Sequence, residues 1–239
     1  MTGPAVQGMT FDTWEPVYER ILADFGFDRG ADERARDRLD TLCERDVAGE
    51  LAGLDFTGRR VAIAGAAAQL SSDLDVARSA DTVVAASTAA DRLREAEIEV
   101  DLQVTDLDGN PERTRQLTAA GVPAAVHAHG DNISALEEYV PRLDHAWLLP
   151  TTQAAPAGAV ANYGGFTDGD RAAFLADTLG AEQLVFPGWA FDDPDVSEGK
   201  QRKLRWAERL LFWLERRRGE RFGVLDDRRE GIDTSVLPL

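Results

Sequence analysis

Apolar residues first recur at helical spacing. Phe11, Trp14, Tyr18, Ile21, Leu22 and Phe25 share one face of a helix predicted over residues 10–25. Asp12 and Glu15 resemble a capping box at its start, with Pro16 inside the tolerated first turn. The same period returns over 31–52 through Ala35, Leu39, Leu42, Cys43, Val47 and Leu51. Two amphipathic helices before any strand predict a small N-terminal helical cap over 1–55. The remainder, 56–239, reads as an α/β domain closed by a long C-terminal helix.

From residue 59 strand patterns alternate with helical ones. Arg59 to Gly65 is a predicted strand ending in glycine, and a helix can begin near Ser72. Thr82 to Ala86 is a second strand, followed by a helix from Ser87 or Thr88 to Glu97. In the third, Val100, Leu102 and Val104 alternate, and the chain then runs Thr105-Asp106-Leu107-Asp108-Gly109. Asn110 suits an N-cap, Pro111 the first helical position, and Gly121 follows the last turn. Pro123 to His129 is a fourth strand, ended by Gly130-Asp131-Asn132 and a helix to about Tyr139. His145 to Pro150 is a fifth. A Gly/Ala/Thr-rich loop (151–166) leads to a helix opened by Thr167-Asp168-Gly169-Asp170, and Gln183 to Pro187 is a sixth strand. A last helix over about 198–217 turns Leu204, Ala207, Leu210, Leu211 and Leu214 inward. This alternation predicts a mostly parallel, doubly wound, Rossmann-like sheet covered on both faces.

Charge narrows the function classes. The chain carries 43 acidic against 26 basic residues, a net charge of −17. A surface this acidic argues against nucleic acid or anionic membranes as main partners. Lys200 and Lys203 are its only lysines. Acidic excess with scarce lysine and plentiful alanine resembles halophilic proteins from salt-rich cytosols. No apolar run approaches membrane-spanning length, and the start lacks a basic-then-apolar signal pattern, so a cytoplasmic location is expected. Cys43, the single cysteine, falls on an apolar stripe and reads as core, not nucleophile.

Four polar segments lie at or near predicted strand ends, where a parallel sheet gathers its ligands on one side. Asp106 and Asp108, two apart on an extended chain, are expected to point the same way. Paired carboxylates repel, and Mg²⁺ relieves that repulsion while completing its shell with water and substrate phosphates. The alternative is that one acid caps the next helix. His127 and His129 share a strand face by the same period. They suit contacts to a ligand or metal-bound water, or packing, and no third ligand supports a zinc site. Asp131 and Asn132 either face the site or cap a helix. Thr167 and Asp170 fit a capping box, leaving Asp168 as the more functional acid of that turn. Lys200 and Lys203 stand one helical turn apart, suited to phosphate or to a solvated face. Gly65 alone is a weak phosphate-loop signal, since neither Gly-x-Gly-x-x-Gly nor a Walker lysine is present.

Three segments together resemble a known family. Val104-Thr105-Asp106-Leu107-Asp108-Gly109, His127-Ala128-His129-Gly130-Asp131-Asn132 and Gly165-Phe166-Thr167-Asp168-Gly169-Asp170-Arg171-Ala172 follow the order and spacing of the archaeal 6-hydroxymethyl-7,8-dihydropterin pyrophosphokinases, the MptE-like group. That group is related in fold to thiamine pyrophosphokinases, and the resemblance covers roughly 10–215. It implies transfer of pyrophosphate from ATP to the hydroxymethyl group of a reduced pterin, releasing AMP, in folate or methanopterin biosynthesis. Asp106 and Asp108 are then magnesium ligands; by the chemistry alone, the hydroxyl proton falls to Asp131 or a histidine. Gly65, Thr105, His127, His129, Asn132, Thr167, Asp168 and Asp170 would line the cleft, and Lys200 and Lys203 would meet the polyphosphate. The chain departs from the group's Gly-x-Gly-Pro-Ser-Leu loop, with Gly65-Ala66-Ala67-Ala68-Gln69-Leu70, and ends its second strand Ala86-Ser87-Thr88.

Other readings are a thiamine-type acceptor, a haloacid-dehalogenase-like phosphatase, and a non-catalytic nucleotide- or pterin-binding module. Asp106-Leu107-Asp108-Gly109 mimics the phosphatase nucleophile loop, but here two strands precede it and Asn110 replaces threonine. The pattern leaves monomer and homo-oligomer both open.

Overall fold

The computed structural model describes residues 8–43 and 54–239. Helix α1 spans Phe11–Phe25 and α2 spans Arg29–Leu42. Thr10 is the N-cap of α1, so Asp12 already lies inside the helix and the expected Asp12/Glu15 capping box does not form. Glu15 reaches across to Arg29 instead, and Pro16 sits in the second turn. Asp28 caps α2, accepting from Gly30 N–H at 3.0 Å. The predicted inward positions Val47 and Leu51 lie outside the described residues.

Six strands follow: β1 Arg60–Ala64, β2 Thr82–Ala86, β3 Leu102–Thr105, β4 Ala124–Ala128, β5 Leu148–Thr152 and β6 Gln183–Val185. All pair in parallel, in the order β5-β4-β3-β2-β1-β6. Between them run α3 Leu74–Arg78, α4 Ala89–Glu95, α5 Pro111–Ala119, α6 Ile133–Tyr139 and α7 Asp168–Thr178, and α8 Glu198–Arg218 follows β6. The fifth strand starts later than its pattern suggests. Asp144 accepts from Ala146 N–H, winding His145–Trp147 into a 3₁₀ turn, and the strand runs on to Thr152. Among the described residues no helix is long and apolar enough to cross a membrane.

Period-two alternation sends each strand's side chains to two cores. Val61, Ile63, Val84, Leu102, Val104 and Ala125 share one with α1, α7 and α8. Within it Phe174 of α7 lies between Trp14 of α1 and Trp213 of α8, ring centroids 6.4 and 5.9 Å away. On the other face, Ala62, Ala64, Val83 and Ala85 meet α3 and α4, while Ala124, Val126 and Ala128 meet α2 and α6. The chain steps outward from β1 to β5 and then returns across the whole sheet to place β6 beside β1. That return carries α7, whose N-terminus therefore arrives at the carboxyl ends of the central strands.

Candidate active site

Beyond β3 the backbone turns sharply. Thr105 Oγ1 accepts from Leu107 N–H at 3.0 Å, and Asp106 Oδ1 accepts from Asp108 N–H at 3.2 Å. Leu107 takes a left-handed φ of 67°, and its side chain is buried in the core beneath α2 and α6. Asp106 and Asp108 are thus not two residues of an extended strand. A turn pinned by a buried leucine brings them together, and Thr105 shapes that turn from within.

A third acid completes the cluster. The predicted capping box is present, with Thr167 and Asp170 bonding reciprocally at the start of α7. Asp170 is buried and held by that box, which leaves Asp168 free to face the turn after β3. Ligand oxygens of Asp106, Asp108 and Asp168 all lie within 4.8 Å of one another.

Asn132 joins the ends of β3 and β4. Its amide donates to the Asp106 carbonyl at 2.9 Å and the His127 carbonyl at 2.7 Å, while its oxygen accepts from His129 N–H at 3.0 Å. Asn132 stands at the N-cap position of α6, but its side chain serves this junction and not the helix. His129 lies 3.3 Å, Nε2 to Oδ2, from Asp106. His127 goes elsewhere: it is buried against β5, its Nδ1 3.0 Å from Thr151 Oγ1, and burial holds its ring neutral. The two histidines therefore do not face one site.

The cluster opens on two adjoining cavities. One, of about 110 Å³, is polar and includes His129, Asp131, Phe166, Lys200 and Lys203 in its walls. The other, of about 210 Å³, is mostly apolar and is walled by Gly65, Ala66, Ser87, Trp189 and Leu204. Thr167, Asp168 and Lys200 belong to both. At Gly65 the backbone comes so near β6's exit that a Cβ would stand 2.5 Å from the Gly188 carbonyl. Trp189 is fixed by an indole N–H bond to the Ile63 carbonyl at 2.8 Å.

The electrostatics fit a hard divalent cation. Burial pushes the Asp168 carboxyl up to about 8, and the charge of Asp106 adds to it. Asp108 is also raised, by desolvation and by Asp106. Asp106 goes the other way: burial is outweighed by the His129 hydrogen bond and the charge of Arg171, which hold it well below the usual range. Three oxygen donors that repel each other at the mouth of a polar cavity match what Mg²⁺ takes, with no soft ligand among them.

Arg171, Gln153 and Asp32 also line the polar cavity, and of the three only Arg171 lies in a segment the sequence singles out. Arg171 Nη1 donates to Asp168 Oδ1 at 3.1 Å, and Arg171 falls inside a recognised motif. Asp32 and Gln153 come from α2 and the loop after β5, and only the fold brings them here.

The 6-hydroxymethylpterin diphosphokinase MptE-like family matches residues 35–195. A protein of Methanothermobacter thermautotrophicus named 6-hydroxymethyl-7,8-dihydropterin pyrophosphokinase is 39% identical over 225 residues, covering 87% of this chain and 96% of the relative. This chain belongs to the MptE-like family. Proteins of the same name from Pyrococcus furiosus and Methanocaldococcus jannaschii are 38% and 30% identical, each aligning with 86% of this chain and with 94% and 96% of their own lengths. The family match contains Asp106, Asp108, Asp131 and Asp168, whereas Lys200 and Lys203 lie beyond it.

Proposed function

We propose that the protein transfers pyrophosphate from ATP to the hydroxymethyl group of 6-hydroxymethyl-7,8-dihydropterin, releasing AMP, with Mg²⁺, in tetrahydrofolate or methanopterin biosynthesis. The convergence of Asp106, Asp108 and Asp168 beside two lysines, in a chain of this family, carries the reading. In such a transfer the pterin alcohol oxygen bonds to the β-phosphorus while the bond to the α–β bridging oxygen breaks. AMP departs with that oxygen and its electron pair. Little covalent work falls to the protein, so positioning and charge neutralisation dominate.

Asp106, Asp108 and Asp168 would hold Mg²⁺, which would supply charge neutralisation at the bridging and non-bridging phosphate oxygens. Lys200 reaches both cavities, and Lys203 flanks the polar one, so together they suit the polyphosphate between the two substrates. The apolar cavity at Gly65 suits adenosine, whose ring tolerates a wall with few polar partners. A reduced pterin presents many donors and acceptors, and a buried polar atom left unmatched costs about 1–3 kcal/mol. The polar cavity, with the exposed carboxylate of Asp131 in its wall, suits that ring. Asp131, in the wall of that cavity, would take the proton from the attacking hydroxyl, with His129 the alternative.

The test is AMP release from MgATP and the pterin alcohol, assayed in high KCl. Asp106→Ala and Asp108→Ala should abolish it while each variant stays folded. Undiminished turnover in both, or phosphate release from simple phosphomonoesters in place of AMP, would overturn the assignment.

A further inference from the structure

Behind the acidic cluster runs a chain of buried hydrogen bonds that the transfer chemistry does not use directly. It starts at Asp32 on α2, a carboxylate that is 4% exposed. Three uncharged donors meet it: Gly130 N–H at 2.7 Å on Oδ1, and the Tyr18 hydroxyl and Gln153 amide, each at 2.8 Å, on Oδ2. Gln153 is held a second time, by Trp14 Nε1 donating to its backbone carbonyl at 2.9 Å. Its side-chain oxygen then accepts from Arg171 Nη2 at 3.1 Å, and Arg171 Nη1 reaches Asp168 Oδ1 at 3.1 Å. Gly130 forms a second arm. It adjoins His129, which contacts Asp106, and it presses so closely on α2 that a Cβ would stand 2.7 Å from that of Ala31.

The geometry points to Asp32 and Gln153 as positioning residues that keep one oxygen of Asp168 available to a divalent cation. This rests on the three-carboxylate metal reading above. An arginine beside a carboxylate tends to close a bidentate pair, two parallel N–H···O bonds. Here Gln153 occupies one arm of the Arg171 fork, so Arg171 meets Asp168 through Nη1 at Oδ1. Asp32 orients Gln153 by accepting from its amide, which turns the Gln153 oxygen toward Arg171. Without that acceptor Nη2 would be left buried and unmatched, and closing a bidentate pair on Asp168 would relieve it. Arg171 would then compete with the cation for the same carboxylate.

Mn²⁺ binding to the full-length protein, read by electron paramagnetic resonance without nucleotide, tests this. Gln153→Met keeps the side chain's volume and removes both hydrogen bonds. It should weaken Mn²⁺ binding about tenfold, as loss of an outer-shell partner typically does, while circular dichroism and the melting profile without metal remain those of a folded protein. Asp108→Ala serves as reference and should lose the site. An Mn²⁺ affinity within twofold of wild type in Gln153→Met, with Asp108→Ala defective, overturns the positioning role alone. Intact binding in Asp108→Ala overturns the metal reading and this inference with it. Should Gln153→Met fail to fold, Tyr18→Phe decides. It keeps the ring in the core, removes one donor from Asp32, and should weaken Mn²⁺ in the same direction to a smaller extent. An unchanged affinity there also overturns the proposal.

Discussion

Replacing Asp108 with asparagine should raise the stability of the metal-free protein and remove its response to Mg²⁺. The carboxylate oxygens of the cluster lie within 4.8 Å of each other. Two unit charges at that separation repel by about 3.5 kcal/mol at an effective dielectric of 20 and by about 0.9 kcal/mol in bulk water. At about pH 9, above the Asp168 value, all three acids are charged. Asp108 then faces two such neighbours but stands at the exposed rim, so the relief lies near the lower bound, about 2 kcal/mol. Attraction to Lys200 and Lys203, which oppose the rise in its pKa, is lost at the same time. A net gain of about 1 kcal/mol remains, which for a chain of this size moves Tm upward by roughly 2–4 °C. Wild type should melt lower in EDTA than Asp108→Asn, and then gain about 1.4 kcal/mol for each tenfold excess of Mg²⁺ over its dissociation constant. The variant should show little of that gain. At about 1 M KCl the screening length falls to roughly 3 Å, shorter than the separation, so the difference between the metal-free proteins should nearly vanish. Thermal unfolding followed by circular dichroism, with EDTA or Mg²⁺ and at two salt concentrations, reads all of this. A variant that melts below wild type in EDTA, or one that keeps the full Mg²⁺ shift, refutes the electrostatic account.

Two further predictions concern how the site is built. Leu107→Gly removes the left-handed strain of a residue at φ 67°, worth about 1 kcal/mol, but it also deletes a buried leucine, which costs about 2–5 kcal/mol. Urea unfolding should therefore show a net loss of roughly 2 kcal/mol, and a neutral result would mean that core packing does not anchor the turn. Burial pushes the Cys43 thiol up to about 12, so at pH 8 the thiolate fraction is on the order of 10⁻⁴. Ellman's reagent should leave the native protein nearly unmodified and titrate one thiol after denaturation, whereas rapid native labelling would place Cys43 outside the core.

The parts of this fold that could be read in advance are those where a short-range period coincides with burial. Val61, Ile63, Val84 and Val104 sit in strands whose side chains alternate between two cores, and the alternation is visible without any partner. Asn110 and Pro111, or Thr167 and Asp170, announce helix starts because a cap is settled within four residues. What could not be read is where one local preference yields to another. At His145 a strand pattern lost to the Asp144 side chain, which bonds the backbone two residues on. At Leu107 a strand pattern lost to two hydrogen bonds, from Leu107 N–H to Thr105 and from Asp108 N–H to Asp106. Both exceptions involve Asp or Thr side chains competing with the ladder for backbone N–H groups, a competition that periodicity does not register.

The candidate site raises a different difficulty, because its deepest members are close only through the sheet order. Asp32, Gln153 and Arg171 lie on α2, after β5 and on α7, and their hydrogen bonds span 121 and 18 residues of sequence. Had β6 been added beside β5, continuing the outward march of the strands, α7 would have stayed at that edge, away from β3. The return to β1 instead lays α7 across β1, β2 and β3, and its first residue, Asp168, meets the acids that end β3. The cost of gathering three carboxylates is met by the same move, since α7 brings Arg171 one turn behind Asp168. A helix that delivers an acid and its counter-charge together can fold without a cation, and the three carboxylates against one guanidinium still leave the cluster net negative.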